Sequence, residues 1–373
     1  MKKRIGFIRL NDRLISDLKL EETLRAHFSD HEFDVFTINN ILERQPFAII
    51  INCLVVFAMY GRDILSGKKE FRSGFWHTPF IFRHIRKTLG RKIKKENYHF
   101  TFQAQSLFDG RIGGLPHFLY TDHTHLANLN YPNFDHRKLF STSWIELEKD
   151  IYHNADIVFV WSTNIGHSLV DQYNLPRNRI ACVNVGSNIK IDDFKPDPRK
   201  KFTQSILFIG SDWERKGGPD LISALNQITS KYPHVQLTIA GSSPRINHPN
   251  CKVLGPLPVE QLKALYEKAD IFCMPTLLEP FGIVYLEAMA AGLPIIATRL
   301  GAIPDFVRDG WNGWLVEPGD VQGIANAITR LLDNPEQCRL FGSRGAQLVQ
   351  KYYNWPAVGK NIQKHILEYL GLN

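Results

Sequence analysis

Short apolar runs alternate with stretches of helical periodicity along almost the whole chain. Arg4–Arg9 predicts a first strand, Leu18–Phe28 a helix, Phe33–Thr37 a second strand, and Phe47–Met59 a buried strand running into a helix. Tyr98–Phe102, His117–Tyr120, Ile157–Trp161 and Arg179–Val183 read as further strands, with helices around Trp144–Tyr152 and over Thr163–Gln172. Helices set between short apolar strands imply a parallel sheet covered on both faces. A polar stretch from Asn188 to Lys201, including Lys195-Pro196-Asp197-Pro198, breaks the alternation and reads as an interdomain linker. Behind it Ile206–Ile209, Val235–Ala240, Ile271–Met274 and Pro294–Ala297 predict strands, separated by helices over Pro219–Lys231, Pro258–Lys268 and Gly282–Ala291. Three more helices follow, Asp320–Leu332, Pro335–Tyr352 and Pro356–Leu370. The expectation is an α/β chain of two doubly wound, Rossmann-like domains, residues 1–195 and 196–352, with ligands at the carboxyl ends of the strands and in a cleft between them.

Composition narrows the class. At 373 residues the chain exceeds one ordinary domain of about 100–200. Its 44% apolar and 22% charged residues exclude disordered and fibrous proteins. The five cysteines are far apart and form no C-x-x-C pair, which argues against a zinc site or a disulfide frame and for a reducing compartment. The amino-terminal residues hold no apolar stretch of signal-peptide length. Pro46–Tyr60, the longest apolar run, is interrupted by Asn52 and falls short of the roughly 20 residues that span a bilayer. A cytoplasmic protein without a membrane-spanning segment is therefore expected.

The net charge of +8 is concentrated. Between Tyr60 and Lys95 eleven basic residues face only Asp63 and Glu70, an excess of +9, so the rest of the chain is close to neutral. Thr78-Pro79 reads as a helix N-cap and first position, after which Phe82, Ile85, Leu89 and Ile93 recur at three- and four-residue spacing among arginines and lysines. An amphipathic cationic helix preceded by Phe71, Phe75, Trp76 and Phe80 suits an anionic membrane surface. The same pattern also fits an apolar seam packed on its domain beneath a solvated face.

The densest chemistry lies between Glu279 and Pro294. Pro280 and Gly282 disfavour helix before Ile283, while Leu286, Met289 and Ala290 continue a helical face that Gly292 and Pro294 stop. Glu279 is therefore expected in a loop and Glu287 on a helix. The amides of Gly282, Ile283 and Val284 would open that helix and form a phosphate site. Glu287 falls about 7 Å further along the axis, about the separation of a pyrophosphate from the ribose diol of one nucleotide.

This window continues through Ile295-Ile296-Ala297-Thr298, Gly301-Ala302-Ile303-Pro304-Asp305 and Asp309-Gly310-Trp311-Asn312-Gly313-Trp314-Leu315-Val316. It closely resembles the E-x7-E signature region of family 4 retaining glycosyltransferases, across nearly all of the second half and patches of the first. The resemblance implies a GT-B fold in which Glu287 holds the donor ribose, Glu279 lies near the transferred sugar, and Phe281, Gly282 and Ile283 approach the donor. Phe208-Ile209-Gly210-Ser211-Asp212-Trp213-Glu214-Arg215-Lys216-Gly217-Gly218 resembles the family's strand and loop with a basic pair. Ser211 stands where many members carry arginine, which leaves Arg215 and Lys216 to meet the leaving diphosphate. Gly241 and Leu254 match stretches that line the donor site. In Tyr120-Thr121-Asp122-His123-Thr124-His125 the better match to the family's sugar-facing histidine is His123, ahead of His125. Asn184-Val185-Gly186-Ser187-Asn188 resembles the family's P-N-G-V-D loop without its proline, and Arg9-Leu10-Asn11-Asp12-Arg13 lacks the usual glycines. A last helix, residues 353–373, is expected to pack back on the first domain.

The function so implied is transfer of a sugar, with retention, from a nucleotide-diphosphate sugar to an acceptor hydroxyl, a lipid-linked or glycan acceptor being the candidate. Neither metal nor other cofactor is expected, because side-chain cations supply the positive charge. The alternatives are a nucleotide-sugar epimerase or phosphorylase of the same fold. A basic nucleic-acid-binding protein is a weaker reading, since no module interleaving arginine with stacking aromatics is visible.

Overall fold

The computed structural model describes residues 3–132, 134–194 and 201–372. The chain divides into two compact units, Met1–Asn184 with Val358–Asn373, and Val185–Ala357. Of the stretch read as a linker, residues 188–194 fall in the second unit and Lys195-Pro196-Asp197-Pro198 lies outside the described residues.

The first unit runs β1 (Arg4–Arg9), α1 (Ile15–His27), β2 (Glu32–Thr37), α2 (Ile38–Glu43), α3 (Pro46–Leu65), α4 (Phe71–Trp76), α5 (Pro79–Lys92), β3 (Phe100–Ala104), β4 (His117–Thr121), α6 (Thr142–Asn154), β5 (Ile157–Val160), α7 (Thr163–Asp171) and β6 (Ile180–Cys182). Its strands form one parallel sheet in the order β2-β1-β3-β4-β5-β6. Strands β3 and β4 are buried throughout, as a sheet covered on both faces requires. One core cluster joins Trp144, Ile151 and Tyr152 of α6 to Val158, Leu169 and Tyr173. Another seats Ile81, Ile85 and Leu89 of α5 against Ile8, Ile38 and Leu42. Thr78 caps α5 by accepting from the Ile81 amide at 3.2 Å, as its place before Pro79 suggests.

Two expectations are corrected here. Phe47–Met59 is not a buried strand; it belongs to the single twenty-residue helix α3, begun by Pro46. That helix is long and apolar enough to cross a membrane, so a segment of that length does exist. The β-branched run around Ile49-Ile50-Ile51 and Val55-Val56 imitates a strand, but the buried residues Ala48, Asn52, Val56 and Tyr60 recur every four positions. The fourfold spacing decides for helix.

The second unit runs β7 (Ser205–Ile209), α8 (Gly218–Ile228), β8 (Gln236–Ala240), β9 (Cys251–Gly255), α9 (Val259–Lys268), β10 (Ile271–Met274), α10 (Ile283–Ala290), β11 (Ile295–Thr298), α11 (Ile303–Phe306), β12 (Gly313–Val316), α12 (Val321–Leu332) and α13 (Pro335–Tyr352). The final helix α14 (Trp355–Leu370) follows, and most of it belongs to the first unit. The sheet of the second unit is also parallel, ordered β12-β11-β10-β7-β8-β9. The chain leaves β7 toward β8 and β9, then returns to lay β10 on the opposite side. The strand order therefore reverses between β7 and β10, the position at which open α/β sheets bind ligands.

Candidate active site

The loops that leave β7 and β10 are bound to each other by backbone and side chains. The Leu277 amide donates to the Arg215 carbonyl at 2.8 Å, and the Thr276 hydroxyl donates to the same carbonyl at 3.1 Å. Gly217 makes this approach possible: its φ is +74°, and a Cβ there would stand 1.8 Å from the Pro275 carbonyl oxygen. Arg215 reaches the Leu278 carbonyl at 2.8 Å and pairs with Asp212 at 3.1 Å. Lys216 donates to the Glu279 carboxylate, and both side chains are nearly enclosed. Burial draws the Lys216 ammonium below the usual lysine range, while Glu279 pulls the other way.

Helix α10 starts at Gly282, whose left-handed φ of +87° turns the chain out of the loop and into the helix. As at any helix start, the first-turn amides lie outside the helix's own ladder and present a partial positive charge. Phe281 directs its ring inward, 5.3 Å from Phe306, so only its backbone remains for a ligand. Glu287 lies on α10 and is buried; the Tyr266 hydroxyl donates to it at 2.9 Å and the Asn188 side chain hydrogen-bonds it as well. Burial raises its pKa, and those two partners partly offset the rise. Gly241 follows β8, its amide donating to the Gly255 carbonyl at 2.8 Å. Leu254 instead lines a cleft with Thr238, Leu265 and Lys268. The structure thus brings Arg215, Lys216, Glu279 and the Gly282–Ile283 turn together at one strand-order reversal, with Glu287 further along the same helix.

In the first unit, His123 follows β4. Its carbonyl accepts from the Thr121 hydroxyl at 2.9 Å, and Asn128 hydrogen-bonds its ring, while its Nδ1 is buried with no hydrogen-bond partner among the described residues. Burial favours the neutral imidazole, and neighbouring Asp122 opposes that. His125 serves the structure of its loop instead. Its Nε2 accepts from the Phe140 amide at 2.9 Å, and burial pushes its pKa down to about 3. The glycine-free loop after β1 is shaped by Asn11, whose side chain accepts from the Arg13 and Leu14 amides at 2.8 and 3.2 Å.

Two participants escape sequence reading. Asp17, on the first turn of α1, is pushed up to about 7 by burial and by Asp122, against the pull of Arg9. One of its oxygens lacks a partner among the described residues, as does the Gln105 side-chain oxygen just after β3. The segments that follow β1, β3 and β4 therefore carry buried polar atoms able to meet a polar ligand. No local pattern marks Asp17, which falls one residue before the helix predicted from Leu18. Glu148 is the second: buried on α6, it accepts from Tyr152, Tyr173 and the His125 amide, and burial still pushes it up to about 7. It fixes the loop that carries His123.

The fold is that of the GT-B glycosyltransferases. It matches sucrose-phosphate synthase from Thermosynechococcus elongatus at a TM-score of 0.69 and 19% identity, covering 100% of both chains. It also matches Anabaena Alr3699/HepE in complex with UDP-glucose at 0.66 and 15% identity, covering 98% of this chain and 99% of that one. Residues 203–334 match the family model described as Glycosyl transferases group 1, which spans the β7 loop, α10 and both glutamates. Among curated relatives, the D-inositol 3-phosphate glycosyltransferase of Corynebacterium aurimucosum is 28% identical over 276 residues, covering 66% of this chain. The chain spans 64% of that relative's length.

Proposed function

We propose that this protein is a retaining glycosyltransferase that moves a sugar from a nucleotide-diphosphate sugar to an acceptor hydroxyl. The observation that carries the reading is the convergence of Arg215, Lys216, Glu279 and the start of α10 where strand order reverses, with the buried Glu287 beyond them. Glu287 takes the donor ribose, its carboxylate accepting from both hydroxyls. The α10 amides, Arg215 and Lys216 meet the diphosphate. As the glycosidic bond breaks, negative charge grows on the leaving phosphate, and these groups stabilise it without reorganising. That phosphate accepts the acceptor proton on the same face, so the anomeric configuration is kept. Glu279 holds Lys216 before the donor arrives and then lies beside the transferred sugar; His123 is assigned to that sugar by the family resemblance. A UDP-glucose complex of a protein with the same fold supports a nucleotide-sugar donor.

The acceptor is proposed to be lipid-linked or a glycan, and the enzyme to work in the cytoplasm at an anionic membrane surface approached by residues 60–95. The cationic face of α5 supports this: Arg83, Arg86, Lys87, Arg91 and Lys92 are exposed while Ile81, Phe82, Ile85 and Leu89 are buried. The test is a reaction with candidate donors in the presence and absence of acceptors. Free nucleoside diphosphate released only on adding an acceptor, with an α-linked product from an α-linked donor, is expected. Sugar isomerisation without acceptor would instead identify the epimerase.

A further inference from the structure

Helix α3 has its polarity inverted. Its polar residues point inward: Asn52 is fully buried, donating to the Phe75 carbonyl at 2.8 Å and accepting from the Thr78 hydroxyl, and buried Tyr60 donates to the His77 carbonyl at 2.7 Å. Most of its large apolar residues point outward, while Ala48 and Val56 stay buried. Phe47 is 80% exposed, Leu54 66% and Leu65 86%, with Ile50, Ile51 and Phe57 also exposed on that stripe. At 100° per residue these positions share one face, and Arg62 stands at its edge. Exposure of so many large side chains on one helix is the reverse of what solvation favours, and it marks a surface that is covered in use.

The surroundings specify what covers it. Arg44 precedes the stripe, Lys68 follows it, and Arg72 projects beside Phe71, whose ring lies 5.3 Å from that of Phe57; all three cations are exposed. Glu70 is exposed among them, while Asp63 is paired with Lys69. Near the amino end of α3 a cleft of about 470 Å³ has Arg44 and Lys92 with Asn40 and Gln45 on its walls, alongside Val35, Phe36, Thr37 and Ile41. An apolar ridge bordered by cations, ending in a cationic cleft, is complementary to acyl chains beneath anionic headgroups. The aromatics Phe75 and Trp76, which the sequence offered for that role, are instead partly buried against the core of the first unit.

We infer that α3 lies in the plane of an anionic bilayer, its Phe47-to-Leu65 stripe among the acyl chains and a headgroup phosphate in the Arg44–Lys92 cleft. The helix has the length to cross a membrane, but crossing would strip Asn52 and Tyr60 of their partners on the 75–78 segment, so it stays on its domain. The inference deepens the membrane reading above by moving the contact from charge alone to an inserted apolar face. It uses none of the sugar-transfer chemistry.

The experiment is co-sedimentation of the full chain with vesicles of phosphatidylcholine alone and of phosphatidylcholine mixed with phosphatidylglycerol, at low and high salt. Wild type is expected on the mixed vesicles, part of it remaining at high salt. The double substitution Ile50→Glu, Leu54→Glu should weaken binding roughly tenfold or more with an unchanged melting curve. Arg44→Glu with Lys92→Glu should weaken the preference for anionic vesicles severalfold without removing it, since the exposed Arg83, Arg86, Lys87 and Arg91 of α5 remain. Complete release by salt, together with wild-type affinity in the Ile50/Leu54 variant, would leave the charge-based membrane reading standing and overturn insertion of α3. Absence from every vesicle overturns both, and a solution dimer dissolved by Ile50→Glu, Leu54→Glu would then assign the stripe to a second copy of the chain.

Discussion

The Lys216 ammonium is paired with the Glu279 carboxylate across the two loops that leave the adjacent strands β7 and β10. The pair holds a cation where strand order reverses, beside the amides that open α10. In the proposed transfer an incoming diphosphate would offer Lys216 a second anion, and sharing between the two would become most favourable as charge develops on the leaving group.

Replacing Lys216 by alanine should lower turnover about 100-fold while changing donor affinity only a few-fold. The variant should also be less stable by about 3 kcal/mol, because Glu279 is left buried without its cation. Steady-state kinetics at saturating donor and a melting curve check both. His123→Ala should likewise lower turnover more than affinity. Wild-type turnover in either variant would remove that residue from the chemistry.

Glu287→Gln keeps the shape of the side chain that meets Tyr266 and Asn188 but removes the charge that the proposed function gives to the ribose. Donor binding should weaken by about 2 kcal/mol, roughly 30-fold. Calorimetric titration with the best donor measures this, and unchanged affinity would take Glu287 out of the ribose site.

Gly217→Ala should be among the most destabilising single changes in the second unit, costing about 3 kcal/mol or more. The new methyl would stand 1.8 Å from the Pro275 carbonyl oxygen, so the two loops must separate. Denaturant unfolding reads the loss; a native-like midpoint would mean the loops are not held as described.

Asp17 makes stability depend on pH. Its pKa is raised from 3.8 to about 7, so between about pH 4 and pH 7 the unfolded chain has lost a proton that the folded chain retains. This contribution to stability therefore falls as pH rises through that window, and the penalty is complete above it. Asp17→Asn should nearly match wild type near pH 4 and exceed it by on the order of 4 kcal/mol at pH 8. A difference independent of pH would place the Asp17 titration elsewhere.

Strand and helix alternation, the Thr78 cap and the placement of Glu279 in a loop and Glu287 on a helix were all legible, because each rests on local periodicity or on proline and glycine chemistry. What was not legible depends on distant partners. Nothing near Phe47 tells that Asn52 meets Phe75 and Thr78, and without that contact the apolar run reads as core. The Lys216–Glu279 pair joins residues far apart in sequence, and only the β7–β10 pairing brings them together. Asp17 falls just outside the helix predicted from Leu18 and reads as an ordinary polar residue until burial beside Asp122 changes its titration.

Binding of a nucleotide-diphosphate sugar by the second unit, through Glu287 and the α10 start, underlies every step of the proposed transfer. It is read most simply from the thermal stability of wild type and Glu287→Gln against a panel of nucleotide sugars, since a ligand that binds the folded state alone raises the midpoint by mass action. At least one nucleotide-diphosphate sugar should raise the wild-type midpoint, and the shift should largely disappear in Glu287→Gln although the unliganded midpoints agree. No shift with any nucleotide sugar, or an equal shift in both proteins, would contradict donor binding at this site.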